Sequence, residues 1–207
     1  MDWQERADAA IERYSRGETR GLDQRQLTQL GNAAWAAGLC LLAAGRRDES
    51  SEWLRRAAER YRESWADAPE GSWGRPIGAM KALLLAVDDA TGVAAWALDA
   101  GAAESGSPIG RYAAALALLV LDEDAVSHAE SLRGADGFPQ DVAAAVAALA
   151  SCDAHAYDGA IRDVLASFER RTDFLEDVPL ADTVLVLQEL AAARGIAASL
   201  PSSPVLP

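Results

Sequence analysis

Apolar residues return along this chain at intervals of three and four, and the stretches that carry them are cut by glycine, proline and acidic pairs. That rhythm predicts about ten helices. The first runs from about Trp3 to Ser15 and is closed by Gly17 and Gly21. A second covers about Leu22 to Ala44 and ends at Gly45, and Asp48 caps a charged third that reaches about Ala66. Pro76 sits where a first-turn proline loses no hydrogen bond, opening a fourth helix to Val87. Ala90 to Ala100 follows, then Pro108 to Leu121 and Asp124 to Leu132. Pro139 opens a helix to Ala150, His155 to Arg170 continues the pairing, and Leu180 to Arg194 is the last. No segment shows the period of two that marks a half-buried strand. The expected class is all-α with no sheet.

Composition points the same way. About a fifth of the residues are Ala, the best helix former, and aromatic residues make up 6%. A sheet would call for more β-branched and aromatic side chains. The final seven residues, Pro201-Ser202-Ser203-Pro204-Val205-Leu206-Pro207, cannot form a helix and are expected to run extended. The organisation expected is therefore one all-α domain over 1–200 and a Pro-rich tail over 201–207.

The chain also repeats itself. Pro76-Ile77-Gly78 returns as Pro108-Ile109-Gly110, each leading through an Ala/Leu run into an acidic turn, Asp88-Asp89 and Asp122-Glu123-Asp124. Pro139 opens a third such unit. Helix, acidic turn, helix and proline restart describe stacked antiparallel hairpins. Small residues within them, Gly38, Gly45, Ser50 and Ala57, follow the spacing of tetratricopeptide repeats, and the next unit fits that spacing at Gly78, Leu85, Ala90 and Ala97. Trp65-Ala66-Asp67-Ala68-Pro69 ends the first unit with a proline like the one that closes such repeats. The chain thus resembles tetratricopeptide-repeat proteins over residues 30 to 100, and over 108 to 170 only as helical hairpins. The resemblance implies a short right-handed α-solenoid. A compact irregular helical bundle would use small residues in the same way.

Charge narrows the partners. The net charge is −13, and Lys81 is the only lysine. Nucleic-acid backbones and anionic membranes are recognised through clustered Lys and Arg, so neither is an expected partner. Acidity of this kind keeps an Ala-rich chain in solution or suits a salt-rich cytosol. Cys40 and Cys152 both fall in Ala/Leu-rich patterns and are expected to be buried free thiols. The first residues, Met1 to Arg6, lack the basic start and apolar run of a leader. The longest apolar stretch, Tyr112 to Leu121, is too short to cross a bilayer. A cytoplasmic protein is expected.

Catalytic chemistry is hard to find. Cys152-Asp153-Ala154-His155 has ligand-like spacing, but no second pair completes a metal site. No Ser motif accompanies His128 or His155, and Gly71-Ser72-Trp73-Gly74-Arg75-Pro76 lacks the ending of a phosphate loop. Asp122-Glu123-Asp124 suits the amino end of the helix that follows. The expectation is no catalytic, cofactor or metal site, and a non-enzymatic role.

Binding is the remaining chemistry. The helix from Glu52 to Glu63 interleaves Arg55, Arg56, Arg60 and Arg62 with Glu52, Glu59 and Glu63, a self-neutralised solvent face. In tetratricopeptide proteins the first helices of successive hairpins line a groove, and some grooves hold a peptide carboxylate with Lys, Arg and Asn. On that resemblance Asn32, Trp35, Arg75 and Arg111 are the candidate partner-binding residues, with Lys81 fitting less clearly. The rival reading has Arg75 and Arg111 neutralising acids or bonding helix-end carbonyls. Five of six tryptophans lie in the first seventy-five residues, where they serve as core or mark an interface. Leu200, Val205 and Leu206 of the tail either dock back or lie free. The function expected is a protein- or peptide-interaction module. The alternatives are a small-molecule binder or hydrolase with a pocket between hairpins, and a structural homo-oligomer.

Overall fold

A computed structural model describes residues 2–207, and Met1 lies outside the described residues. Among the described residues ten helices form: α1 Trp3–Gly17, α2 Gln24–Ala43, α3 Arg47–Glu63, α4 Gly74–Leu85, α5 Thr91–Asp99, α6 Pro108–Val120, α7 Val126–Glu130, α8 Gln140–Ala150, α9 Ala154–Glu169 and α10 Asp182–Ala193. A 3-10 turn at Leu175–Asp177, which periodicity does not announce, sits between α9 and α10. The described residues contain no strand, and the class is all-α. Each expected segment holds one helix. The seventh is shorter than its pattern, because Asp124 accepts from the Val126 N–H at 3.0 Å and so stands ahead of the helix. Asp48 is not the cap of α3; the cap position is Arg46, with no side-chain capping bond. No described helix is long and apolar enough to cross a membrane.

Several helices end in the same way. After α2, α4, α6, α8 and α10 the backbone turns left-handed for one residue, at Gly45, Val87, Asp122, Cys152 and just past Arg194 at Gly195. Each turn has the same pair of hydrogen bonds. Arg46, Asp88, Glu123, Asp153 and Ile196 donate back to the carbonyls of Leu41, Leu83, Leu118, Ala148 and Ala191. This is the motif that satisfies the orphan carbonyls of a helix end, and it favours glycine at the left-handed position. Three of the five positions carry a side chain there instead.

The chain divides into two compact units. Residues up to Asp89, with Thr172–Leu180 and Val205–Pro207, form the first; Ala90–Arg171 with Ala181–Pro204 form the second. In the first unit α2 is buried almost throughout from Leu30 to Leu42, and α1 and α3 pack on it. Tyr61 of α3 fills the gap between α2 and α4. A Cβ on Gly31 would meet its ring at 2.8 Å, and one on Gly78 would meet it at 2.9 Å. Gly38 lets α3 approach in the same way, since a Cβ there would lie 2.7 Å from Leu54. The buried Ser50 hydroxyl donates to the Gly38 carbonyl at 2.7 Å. Tyr14 of α1 meets Trp53 of α3 edge-on at 5.2 Å.

In the second unit α6 and α8 carry the core, with Leu116, Val146 and Leu149 fully buried. Gln188 of α10 joins Tyr157 of α9 to the segment past Gly195. It accepts from the Tyr157 hydroxyl at 3.1 Å and from the Ala198 N–H at 3.1 Å. The tail bends at Pro204 and Val205, and Val205 is buried. Its expected extended run is interrupted there, because an apolar side chain gains more by leaving water than the backbone loses in turning.

Candidate functional site

The first half of α2 is polar, and one polar row faces α4. Gln24, Thr28 and Asn32 follow one another at four-residue steps, and Trp35 continues the face. Against it α4 brings Arg75, Gly78 and Lys81. The Arg75 Nε donates to the Thr28 hydroxyl at 3.3 Å, and its Nη2 donates to the Gln24 side-chain oxygen. Thr28 can accept because its own proton goes to the Gln24 carbonyl, 2.8 Å away. Asn32 accepts from the Tyr61 hydroxyl at 2.9 Å, and the Lys81 ammonium stands 5.7 Å over the Trp35 ring.

Arg75 is the unusual member. It is 9% exposed, its Nη1 has no hydrogen-bond partner, and no carboxylate among the described residues pairs with it. A buried guanidinium facing only neutral oxygens keeps most of its desolvation cost. Burial lowers its pKa from the ordinary arginine value. The arrangement therefore offers an uncompensated positive charge beside an amide and a hydroxyl, and it suits a carboxylate. In a chain of net charge −13 this guanidinium remains without an acid.

Arg111 belongs to the second unit, at the start of α6. Its Nη1 donates to the Ser131 carbonyl at the end of α7, at 2.9 Å, while its buried Nε is unpartnered. It ties down a helix end, as one of the two readings of its sequence supposed. Asn32, Trp35 and Arg75 are brought together in the first unit. Tyr112, next to Arg111, has a buried hydroxyl without a partner; burial and, secondarily, Asp182 push its pKa up.

The other candidates divide. Trp35 and Trp73 are core, whereas Trp3, Trp53, Trp65 and Trp96 are half-buried. On α3, Arg55 pairs with Asp88 at 2.5 Å, Arg60 pairs with Glu63 at 2.7 Å and Glu18 at 2.5 Å, and Arg56 lies over Trp53. Cys40 is buried, but Cys152 is exposed: it occupies the left-handed turn after α8 instead of the helix, which corrects the expectation of two buried thiols. No three His, Cys, Asp or Glu side chains among the described residues gather as metal ligands would. No protein-family model, curated protein or solved structure matches this chain.

Gln24, Thr28 and Tyr61 were not among the residues expected at a site. The four-residue step from Gln24 through Thr28 to Asn32 was the available signal for the first two. Nothing local marks Tyr61, whose role depends on two glycines 47 positions apart in sequence, Gly31 and Gly78.

Proposed function

We propose that this chain is a non-enzymatic interaction module that binds a protein or peptide through the α2–α4 face, taking a carboxylate of the partner at Arg75. The observation that carries the reading is the buried, acid-free guanidinium with one nitrogen unspent. A partner carboxylate replaces Gln24 as its acceptor, and the Asn32 amide adds a donor at the margin. The tetratricopeptide resemblance supports the same face, because first helices line the groove in that family. The half-hidden site favours an extended segment over a flat surface.

The test is a peptide-library selection on the whole chain, repeated with Arg75→Met. The expected outcome is enrichment of carboxylate-bearing peptides whose affinity falls at least tenfold on the variant. Stability moves the other way: replacing an unpaired buried charge by an apolar side chain of similar length leaves the unfolding midpoint unchanged or raises it. Peptides that bind wild type and Arg75→Met equally would remove the proposal.

A further inference from the structure

The acidic segment between α9 and α10 lies on a basic stripe of α1 in a backbone conformation that works against it. Arg6 and Arg13 stand two turns apart on α1. The Arg13 Nη2 pairs with Glu176 at 2.9 Å, and the Arg6 Nη1 donates to the Asp177 carbonyl at 2.6 Å. Glu176 and Asp177 hold φ values of 55° and 57°, consecutive left-handed residues of which neither is glycine. Such strain persists only where surrounding contacts outweigh it, and it gathers at ligand clamps and switches. The burial of Val178 and Leu180 anchors one side of the tip, while Leu175 on the other is 55% exposed.

Beside the Glu176 carboxylate a hollow of about 360 Å³ stays open, floored by Leu30 and Ala33 and flanked by Gln26 and Gln29. Gln26 spends its oxygen on the Asp23 N–H, so its own amide donors remain free. Gly17 helps keep the space, since a Cβ there would run into Leu30 at 2.9 Å. The surface therefore presents two guanidiniums and unspent amide donors next to a small apolar floor. The chain's own segment gives Arg13 a carboxylate and Arg6 only a carbonyl, and leaves the hollow beside them open.

We infer that the Arg6–Arg13 stripe and its hollow form a docking surface for an extended acidic peptide of a partner protein, held by residues 175–177 as an internal stand-in. An external strand makes the same carboxylate and carbonyl contacts with a relaxed backbone. It also places an apolar side chain over Leu30 and Ala33, a contact the stand-in lacks. This surface shares no residue with the α2–α4 face and does not depend on that reading.

Fluorescence anisotropy on the full chain tests the inference, using a labelled peptide that copies residues 172–180. Glu176→Gln releases Arg13 and should tighten peptide binding about two- to fivefold over wild type. Asp177→Gly relaxes the stand-in, which then holds more firmly, and peptide binding should weaken. Arg13→Glu should abolish it, with circular dichroism showing each variant folded. A general attraction between charges does not reproduce the Asp177→Gly direction, and the chain's own net charge opposes it. The inference is overturned if the Glu176→Gln chain binds no peptide, or if Arg13→Glu binds as wild type does. It is equally overturned if Glu176→Gln forms a dimer by light scattering, because the occupant is then a second copy of this chain.

Discussion

Val87 and Cys152 show how much one backbone angle decides. Both occupy the left-handed position that closes a helix, with φ of 54° and 52°. A β-branched side chain is least suited to that region. Val87 is also 75% exposed, so replacing it sacrifices little burial. Relief of about 1–3 kcal/mol of strain, less roughly 0.5–1 kcal/mol for the freedom glycine has when unfolded, predicts that Val87→Gly stabilises by about 1 kcal/mol. Asp122→Gly, at φ 57°, should give less, because Asp tolerates this region. Urea midpoints of the two variants check the order. For the cysteines the prediction is chemical. Cys152 should react with a thiol reagent in the native protein, and Cys40 only on unfolding. Burial pushes the Cys40 thiol from 9.0 up to about 11, so the folded chain keeps a proton that the unfolded chain releases. Its contribution is complete below pH 9.0 and is lost as pH rises toward about 11. Melting temperatures of wild type and Cys40→Ala across that range should converge as the pH climbs.

At the scale of elements, the close approach of α2, α3 and α4 depends on glycine where the Tyr61 ring lies. Gly78→Ala and Gly31→Ala each insert a methyl inside contact distance of that ring. Overpacking of this kind costs about 1–3 kcal/mol, against which the better helix propensity of Ala returns up to about 1 kcal/mol. Both variants should lower the denaturation midpoint. Combining either with Tyr61→Leu should cost less than the sum of the single changes, a coupling that a double-mutant cycle reads directly. The acidic turns have an element-scale role as well: Asp88 is held below its ordinary carboxyl value by the Arg55 guanidinium first and the Asp89 N–H second. That pairing ties the end of α4 to α3.

At the scale of the molecule, the first unit takes in residues that lie far along the chain, Thr172–Leu180 and Val205–Pro207. Val205 is 7% exposed. Val205→Ala should therefore destabilise the protein by about 1–2 kcal/mol, whereas Ser202→Ala in the exposed stretch just before it should change little. Thermal melts of the two single variants separate a docked tail from a passive one.

The sequence by itself determined the class and the approximate number and placement of the helices, because these depend on local spacing: the three-four return of apolar residues, glycine after a helix, proline at a first turn. One turn geometry closes helices at Gly45, Val87, Gly101, Asp122, Cys152 and Gly195, and only the glycines among these announce it in the sequence. The candidate site was only half legible. Asn32, Trp35 and Arg75 stood out as residue types, but that Arg75 lacks an acid was decided by what packs around it. The tertiary structure alone decided that Cys152 is exposed, that Tyr61 stands between two glycines and that Glu176 and Asp177 lie on α1. The last two join residues many helical turns apart, whereas the exposure of Cys152 follows from the left-handed turn that ends α8. Periodicity along a helix says which side of it is apolar and leaves open which distant side chain will cover that side.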